Sequence, residues 1–360
     1  MKPAPEGYRV AVVGASSLLG KELVSVLEQG KFPVSRLLTF ESEEDEPELP
    51  IIDLSNTSSA TVDDAQIHEG ELDFAFLAGR LREMPAFLRS WQEQGSAARC
   101  LVIDLLGDGL AIGAGKDSRQ ERGGMEDLIG VPFLDRRFPV AGNHSAAGRL
   151  HVSAHPAVIV ISSLLLRLAA RFPLKSAVAQ VFAPASESGS RGVEELQRQT
   201  VNILSFQKIP LPVFGAQLAF NMLPRLGKSG AGDLAPLESR VRRQLQQYLG
   251  DRVPRPSLRF LQVPVFYSMG VSLYVEIAQP VSPEAAIAAL AGERVKVRRA
   301  HLDAPTPVEV TGSSDILVDS ITLDGGHPHG LWVWAVADNL HLAAANAVEL
   351  AAALRERARA

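Results

Sequence analysis

The sequence predicts an α/β protein in which a doubly wound parallel sheet comes first and an α+β domain follows. Two observations support this prediction. Apolar segments of strand length alternate with amphipathic helical segments from residue 8 to residue 104, which is the order that builds βαβ units. After about residue 149 the pattern changes to long apolar helices and longer strands.

The first domain opens with the strand RVAVVG, which turns at Gly14 into an amphipathic helix. The segments SRLLTFES, LDFAFLAG and RCLVIDLLGDG predict three further strands, and REMPAFLRSWQEQG predicts a helix between the last two. Residues 107–149 are rich in loop signals, and the chain ends in a strand and a long alanine-rich helix. The first domain is therefore predicted to comprise residues 1–133 plus 331–360.

The second domain is predicted to comprise residues 134–330. It contains helices over Val158–Arg171 and Gly192–Leu204, and strands in AVAQVFAPAS and VSLYVEIAQPV. A polar, glycine-rich loop, GKSGAGDLAPLE, precedes a further helix in LESRVRRQLQQYL. This mixture of elements predicts an α+β architecture.

Composition limits the class of partner. A net charge of −5 argues against nucleic-acid and membrane-surface binding, because both require a basic patch. The start MKPAPEGYRVAVVG lacks the apolar core of a signal peptide, and the run AVIVISSLLL is too short to span a bilayer. The single cysteine excludes an intrachain disulfide and a zinc site built from thiolates. We therefore expect a reduced, cytoplasmic protein without a bound metal.

The first motif is GASSLLG, which follows a strand and opens a helix. Gly14 and Gly20 match the outer glycines of a dinucleotide-binding fingerprint, whereas Ser17 replaces the glycine that lets the backbone approach a pyrophosphate. Ser16, Ser17 and Leu18 are the other candidate cofactor contacts at this helix start. The alternative is a strand-to-helix turn that binds no ligand, and the sequence leaves the two interpretations equally weighted.

The second feature is the acidic segment FESEEDE. Glu41 lies about 20 residues beyond the glycine turn, where an acidic side chain can bond the ribose hydroxyls of NAD. Six acidic residues between positions 41 and 48 would repel the ribose phosphate of NADP. A solvated acidic loop is the commoner interpretation of such a run. In either case NAD is favoured over NADP.

The third motif is ASESGSRGVEELQRQT. Its serines and glycine could form an anion-binding nest, with Arg191 adding a positive charge. The alternative, which we favour, is a helix N-terminus capped by Ser190, with Glu194 and Glu195 in the first turn.

The segment HVSAHPAVIVISSLLLRLAARF predicts a strand, a polar break and an apolar helix. A helix N-terminus favours an anion, but residues 157–161 contain no reactive side chain, so His155 is the only ionisable group at the break. A histidine there is more commonly an exposed or hydrogen-bonded residue than a catalyst. Cys100 lies in an apolar strand and is predicted to be a buried small residue. His327 and His329, in GGHPHG, predict a turn rather than a metal site.

Together these segments resemble the aspartate-β-semialdehyde dehydrogenase family, from about Tyr8 to Leu354. The most specific segments are LAFNMLP, RGVEELQRQT and VADNLHLAAANAV, and the last adds Asn339 to the candidate cofactor-binding residues. The resemblance implies an N-terminal Rossmann domain and a C-terminal α+β domain of the glyceraldehyde-3-phosphate dehydrogenase type. It further implies a homodimer through the second domain and a last helix packed on the first.

The family reduces an aspartyl phosphate to the semialdehyde with NADPH. In the reverse direction a thiolate attacks the aldehyde, hydride passes to NADP, and phosphate cleaves the thioester. The resemblance places Val158 at the thiolate and Met269 at the acid/base histidine. Other family positions are degenerate. The N-P-N-C motif that holds the thiolate falls on His155–Val158, where Ala157 replaces an asparagine. Ala183 replaces a glutamine, Glu187 a glycine, and Gln262 the arginine that binds the substrate carboxylate, and the phosphate-binding arginine would fall near Leu110, where the sequence has none. The NADP-binding S-x-R-S motif falls on FESE, which has no arginine.

A valine cannot form a thioester, and a methionine cannot shuttle a proton at neutral pH. The chain therefore resembles a Usg-like branch of the family that lacks the catalytic cysteine, and the predicted function is that of a homologue without the family's activity. Two alternatives remain open. One is an active NAD(P)-dependent oxidoreductase that transfers hydride directly on another substrate, with His155 as the only candidate base. The other is a non-catalytic partner of an active paralogue.

Overall fold

The computed structural model describes residues 7–41, 71–79, 84–94, 98–107, 128–139, 150–298 and 303–359. Their contacts form two compact units. The first contains the described residues up to Pro132, the segment that ends at Ala154, and the chain from Ala343 onward. The second contains Phe133 and the described residues that follow it, together with His155–Leu342.

The first unit is built on a parallel sheet of six strands. Its elements are β1 (Tyr8–Val13), α1 (Leu18–Gln29), β2 (Val34–Phe40), β3 (Phe74–Leu77), α2 (Ala86–Gln94), β4 (Leu101–Asp104), β5 (Leu128–Gly130) and β6 (Leu150–Ser153). The strand order is β2-β1-β3-β4-β6-β5, and every pair is parallel. The central strands are buried along their whole length because both sheet faces are covered, as the continuous apolar runs predict.

The second unit contains a mixed six-stranded sheet. Its helices are α3 (Pro132–Asp135), α4 (Pro156–Ala169), α5 (Gly189–Leu204), α6 (Leu234–Leu249), α7 (Pro283–Leu290) and the start of α8 (Asn339–Arg359). Its strands are β7 (Leu174–Ala183), β8 (Ser257–Gln262), β9 (Met269–Ile277), β10 (Val295–Val297), β11 (Ile316–Leu323) and β12 (Gly330–Ala337). The order is β10-β11-β12-β9-β7-β8, with α4 packed on the sheet. The predicted α/β class, with a doubly wound parallel sheet first and an α+β domain second, is confirmed.

The predicted domain boundaries differ from the structure at two strands. β6 was expected in the second domain, but it pairs with β4 and β5 in the first sheet. β12 was expected in the first domain, but it pairs with β9 and β11 in the second sheet. Strand pairing is a long-range property, and the sequence near either strand does not reveal its neighbour. The helix α8 does pack in the first unit from Ala343 onward, as the resemblance implies.

Several predicted elements begin or end elsewhere. The loop-rich segment 107–149 contains the short strand β5 and the single turn α3, which are too brief to show a periodic pattern. The helix α4 begins at Pro156 rather than Val158, because proline is well suited to the first helical turn. Among the described residues, no helix is long and apolar enough to cross a membrane.

One face of the second sheet carries exposed apolar side chains. Val178, Tyr274 and Trp332 are cross-strand neighbours on β7, β9 and β12. Val178 is 39% exposed and Trp332 38%, and the rings of Tyr274 and Trp332 lie 5.1 Å apart. Phe182 and Trp334 form a second aromatic pair, with ring centroids 5.7 Å apart.

Candidate functional site

The turn between β1 and α1 contains two glycines, Gly14 and Gly20, at positions where a side chain would overlap the neighbouring backbone. Gly14 has φ +80°, and a Cβ there would lie 2.3 Å from Cα of Gly79. A Cβ on Gly20 would lie 2.1 Å from the carbonyl oxygen of Gly14. Both glycines are therefore required by the backbone contacts of this turn, whether or not a nucleotide binds there.

The turn also uses several of its own hydrogen-bond donors. The hydroxyl of Ser17 accepts from the N–H of Gly20 at 2.9 Å, which caps α1, and donates to the carbonyl of Ala78 at 2.9 Å. The N–H groups of Gly14 and Ala15 both donate to the carbonyl of Phe40. The turn keeps the shape of a dinucleotide-binding turn. Because of these internal bonds, the Ser17 hydroxyl and the amides of Gly14 and Ala15 are not free to donate to a phosphate.

The structure places the remaining predicted cofactor contacts of the first unit at this turn and at the end of β2. Ser16 lies in the turn, Leu18 begins α1, and Glu41 is exposed immediately after β2. The rest of the acidic run and Leu110 lie outside the described residues. Cys100 is buried in the first unit, 2% exposed, as predicted.

The second predicted site is at the start of α4, where His155 is the N-cap. Its Nδ1 accepts a hydrogen bond from the N–H of Ala157 at 3.1 Å, and its backbone N–H donates to Oε1 of Gln244 at 2.8 Å. The ring lies edge-on to Phe260, with centroids 6.4 Å apart. His155 is 7% exposed, so the structure confirms a hydrogen-bonded histidine and places it in the interior.

Glu187 completes this arrangement. Its Oε1 lies 2.7 Å from Nε2 of His155, and its side chain is 14% exposed. Burial alone would raise the pKa of Glu187. The charge and hydrogen bond of His155, the charge of Arg240 and a hydrogen bond from Asn339 outweigh burial and hold that pKa below its usual value. Glu187 is therefore a carboxylate at neutral pH, fixed at the N-terminal end of α4.

Asn339 connects this pair to the neighbouring loops. Its Oδ1 accepts from the N–H of Ser268 at 3.0 Å and from the hydroxyl of Ser186 at 3.2 Å. Its Nδ2 lies 3.5 Å from Oε2 of Glu187. The amide predicted to contact a cofactor therefore makes three contacts within the second unit.

The degenerate positions are buried at the start of α4 and at the ends of three strands of the second sheet. Ala157 and Val158 are fully buried in the first turn of α4, and Met269 begins β9 at 1% exposure. Gln262 ends β8, is fully buried, and donates from Nε2 to the carbonyl of Ala183 at 2.9 Å. Ala183 and Gln262 are register partners at the carboxyl ends of β7 and β8.

The predicted cap of the next helix is wrong. The helix α5 begins at Gly189, so Ser190 lies inside it, and Ser188 at the N-cap makes no side-chain capping bond. Glu195 is buried at 3% exposure and accepts hydrogen bonds from the N–H groups of Val213 and Phe214. Burial raises the pKa of Glu195 although these bonds act in the opposite direction. The sequence predicted Glu195 in the first turn of a helix capped by Ser190, whereas its carboxylate in fact anchors the loop that follows α5.

His327 and His329 lie in a turn, as predicted. The N–H of His329 donates to Nδ1 of His327 at 3.3 Å. In the part of the chain that the structure describes, no group of three or more His, Cys, Asp or Glu side chains is arranged to hold a metal ion.

The contact between His155 and Glu187 was missed by sequence reasoning. The two residues are 32 positions apart, and each was considered alone: one as a lone histidine, the other as a replaced glycine. The available signal was that two family positions had changed together. The resemblance puts a neutral residue at position 155 and a glycine at position 187, where this chain has a base and an acid that can pair.

Two family models match the chain and together cover most of it. The semialdehyde dehydrogenase NAD-binding domain matches residues 9–108, and the semialdehyde dehydrogenase dimerisation domain matches residues 165–342. A USG-1 protein homologue from Pseudomonas aeruginosa is 27% identical over 343 residues, which cover 95% of this chain and 96% of the relative. An aspartate-semialdehyde dehydrogenase from Shewanella violacea is 23% identical over 350 residues, covering 96% and 97% of the two chains.

A solved structure shares the fold of this chain. A probable aspartate-semialdehyde dehydrogenase from Pseudomonas aeruginosa superposes with a TM-score of 0.74 at 24% identity, covering 97% of this chain and 98% of its own. The family resemblance expected from the sequence motifs is confirmed. The chain belongs to the semialdehyde dehydrogenase family.

Proposed function

We propose that this protein is a homologue of aspartate-semialdehyde dehydrogenase that has lost the family's phosphate-dependent aldehyde oxidation. The observation that supports this proposal is the start of α4. A buried valine follows a histidine whose two ring nitrogens are both engaged, one of them by a carboxylate of the same chain.

The side chains at the positions that the resemblance assigns to chemistry are apolar or neutral. Val158 offers only methyl groups, which cannot form a thioester. Met269 is buried and carries a thioether, which cannot exchange a proton at neutral pH. Gln262 cannot supply the bidentate positive charge that an arginine offers to a carboxylate.

His155 is a poor general base as it is held here. The N–H of Ala157 can donate only to a deprotonated Nδ1, so neutral His155 carries its proton on Nε2 and donates it to Glu187. To accept a proton from a substrate, Nδ1 would have to abandon the N-terminus of α4. The carboxylate of Glu187, which is bonded to the N-cap histidine, also adds a negative charge near the helix end that would attract an anionic substrate or a thiolate.

The decisive experiment is an assay of phosphate-dependent oxidation of aspartate semialdehyde with NAD and with NADP. An active aspartate-semialdehyde dehydrogenase measured in parallel is the control for substrate quality. We expect no turnover above background. Turnover that is abolished in His155→Ala would contradict this proposal and support an oxidoreductase that uses the His155–Glu187 pair. Turnover that His155→Ala leaves unchanged would contradict both.

We propose that any nucleotide binding is weak and favours NAD. The NAD-binding domain match includes the β1–α1 turn, and Glu41 follows β2 where a ribose would be bonded. The residues fit this cofactor only in part, because Ser17 and the Gly14–Ala15 amides bond within the protein. When bound, the cofactor would accept hydride as NAD⁺ or donate it as NADH. Thermal shift tests the preference: stabilisation by NADP larger than that by NAD would contradict it.

We propose a homodimer formed through the second sheet. The matching domain is a dimerisation domain, and the row Val178–Tyr274–Trp332 presents apolar surface on one sheet face. Sedimentation should show a dimer in the wild type and a monomer in Val178→Glu. Ile287→Glu is the control and should remain dimeric, because Ile287 is similarly exposed at 40% but lies on α7, the helix that packs against α4. A stable complex with a second, active paralogue instead would support a non-catalytic regulatory subunit.

A further inference from the structure

A groove lies on the second unit at the C-terminal end of α4. One wall contains Ala169 and residues 172–174, and the other wall is residues 250–255, which follow α6. The volume of the groove is about 510 Å³, which suits a small molecule. His155 lies at the other end of α4, about 21 Å away along a helix of 14 residues. The groove is therefore separate from the site at the start of α4, and it has room for a ligand.

The second wall has a constrained backbone. Gly250 follows α6 with φ +55°, and no described residue other than its chain neighbours lies within 4 Å of the place where its Cβ would be. Arg255 lies between Pro254 and Pro256, and each proline ring fixes one backbone torsion. Because this wall is already ordered, a ligand would lose little free energy in ordering it.

Two opposite charges on the second wall are left unpaired. Asp251 and Arg255 are both exposed and line the same groove, yet neither forms a hydrogen bond or an ion pair with any described residue. Ala169, at the C-terminal end of α4, lines the facing wall, and the dipole of a helix favours a cation at that end. The groove thus offers one place for a cationic group and one for an anionic group.

A further arginine is fixed on the same wall. Arg252 donates from Nε to the carbonyl of Leu249 at 3.2 Å and from Nη1 to the carbonyl of Phe138 at 3.0 Å. Its guanidinium also lies over the ring of Tyr248, 5.3 Å from the centroid. Arg252 therefore holds the wall to its surroundings and leaves Arg255 as the guanidinium that is free to bind.

Apolar side chains line both walls. Phe172 is half-buried on the first wall, and Val253 is 6% exposed on the second. Apolar surface beside a few polar groups is typical of sites that bind small molecules.

We propose that this groove binds a free α-amino acid with an apolar side chain. The ammonium group would donate to Asp251 beside the end of α4, and the carboxylate would accept from Arg255. The side chain would pack on Phe172 and Val253. A ligand with a single charge would use only Asp251 or Arg255, whereas a zwitterion uses both.

The test is a ligand-observed NMR titration of the purified full chain with L-leucine at pH 7. We expect a dissociation constant of about a millimolar, because exposed ion pairs each contribute little free energy. Three analogues each remove one group: leucinamide lacks the carboxylate, N-acetylleucine lacks the ammonium group, and glycine lacks the side chain. Each should bind at least about threefold more weakly than leucine.

Variants assign each contact to a residue. Arg255→Gln should weaken leucine binding about threefold and leave leucinamide binding unchanged, because leucinamide has no carboxylate to lose. Asp251→Asn should likewise weaken leucine binding and leave N-acetylleucine binding unchanged. Arg259→Gln and Asp303→Asn are matched controls at exposed positions outside the groove, and both should bind leucine as the wild type does.

Three results would overturn the proposal. The first is the absence of saturable leucine binding to the wild type. The second is equal leucine binding in the wild type, Arg255→Gln and Asp251→Asn, which would place the ligand elsewhere on the protein. The third is equal binding of leucine and either charge-deleted analogue, which would show that the site does not recognise a zwitterion.

Discussion

Nε2 of His155 lies 2.7 Å from Oε1 of Glu187, while Nδ1 of the same ring accepts from the N-terminal amide of α4. One side chain thus joins a helix N-terminus to a buried carboxylate. The positive end of the helix, the imidazole and the negative charge are arranged in sequence and are all supplied by this chain. This arrangement stabilises the fold at the helix start where the resemblance would place the family's thiolate.

Glu187→Leu should destabilise the protein more than Glu187→Gln. Glutamine still accepts the proton of His155 Nε2, whereas leucine leaves that buried donor unpaired, which costs about 1–3 kcal/mol. Urea unfolding at pH 7 measures the difference. Glu194→Leu, an exposed position on α5, is the control and should change stability little. Equal effects of leucine and glutamine at position 187 would show that the hydrogen bond contributes nothing.

The contribution of Glu187 to stability should depend on pH. Because its folded pKa lies below the ordinary value of 4.5, the contribution is fully present above that value and is lost as the pH falls through the folded pKa. The difference in unfolding free energy between the wild type and Glu187→Gln should therefore be constant at mildly acidic to neutral pH and shrink at lower pH. A difference that grows on acidification would contradict the lowered pKa.

Val158→Cys should not restore a reactive thiol. Position 158 is fully buried, and the carboxylate of Glu187 at the same helix start opposes formation of a thiolate. In a Cys100→Ala background, alkylation by iodoacetamide at pH 7 should be far slower than for Val201→Cys, a control position that is 55% exposed. Alkylation at similar rates, or recovery of semialdehyde oxidation, would contradict this expectation.

Gly14→Ala should destabilise the protein even where no nucleotide is present. Two effects combine there: a positive φ and a Cβ that would overlap Gly79. Gly312→Ala is the matched control, since Gly312 has φ +73° and nothing within 4 Å of its Cβ position. The left-handed conformation alone costs about 1–2 kcal/mol, and Gly14→Ala should cost clearly more. Unfolding midpoints measured with and without NAD would test this, and equal losses at the two glycines would contradict it.

The sequence predicted individual helices and strands well, but it did not predict which strands are neighbours in a sheet. Apolar strands and the Gly14 turn revealed the parallel sheet, since both are local patterns. The placement of β6 and β12 was wrong because pairing depends on residues far away in the chain. The contacts between His155 and Glu187, and between Glu195 and Val213, were not predictable for the same reason. Each carboxylate looked like a surface residue in its local context, and only the tertiary fold buries it.

The contact between Gly14 and Gly79 has a consequence for how glycine fingerprints are interpreted. Two backbone segments, one after β1 and one after β3, approach so closely that a side chain at Gly14 would overlap the backbone of Gly79. Selection for folding alone would maintain Gly14 after a ligand had been abandoned. A fingerprint of this kind therefore records the ancestry of a turn, and its present occupant must be established from the donors that the turn still has free.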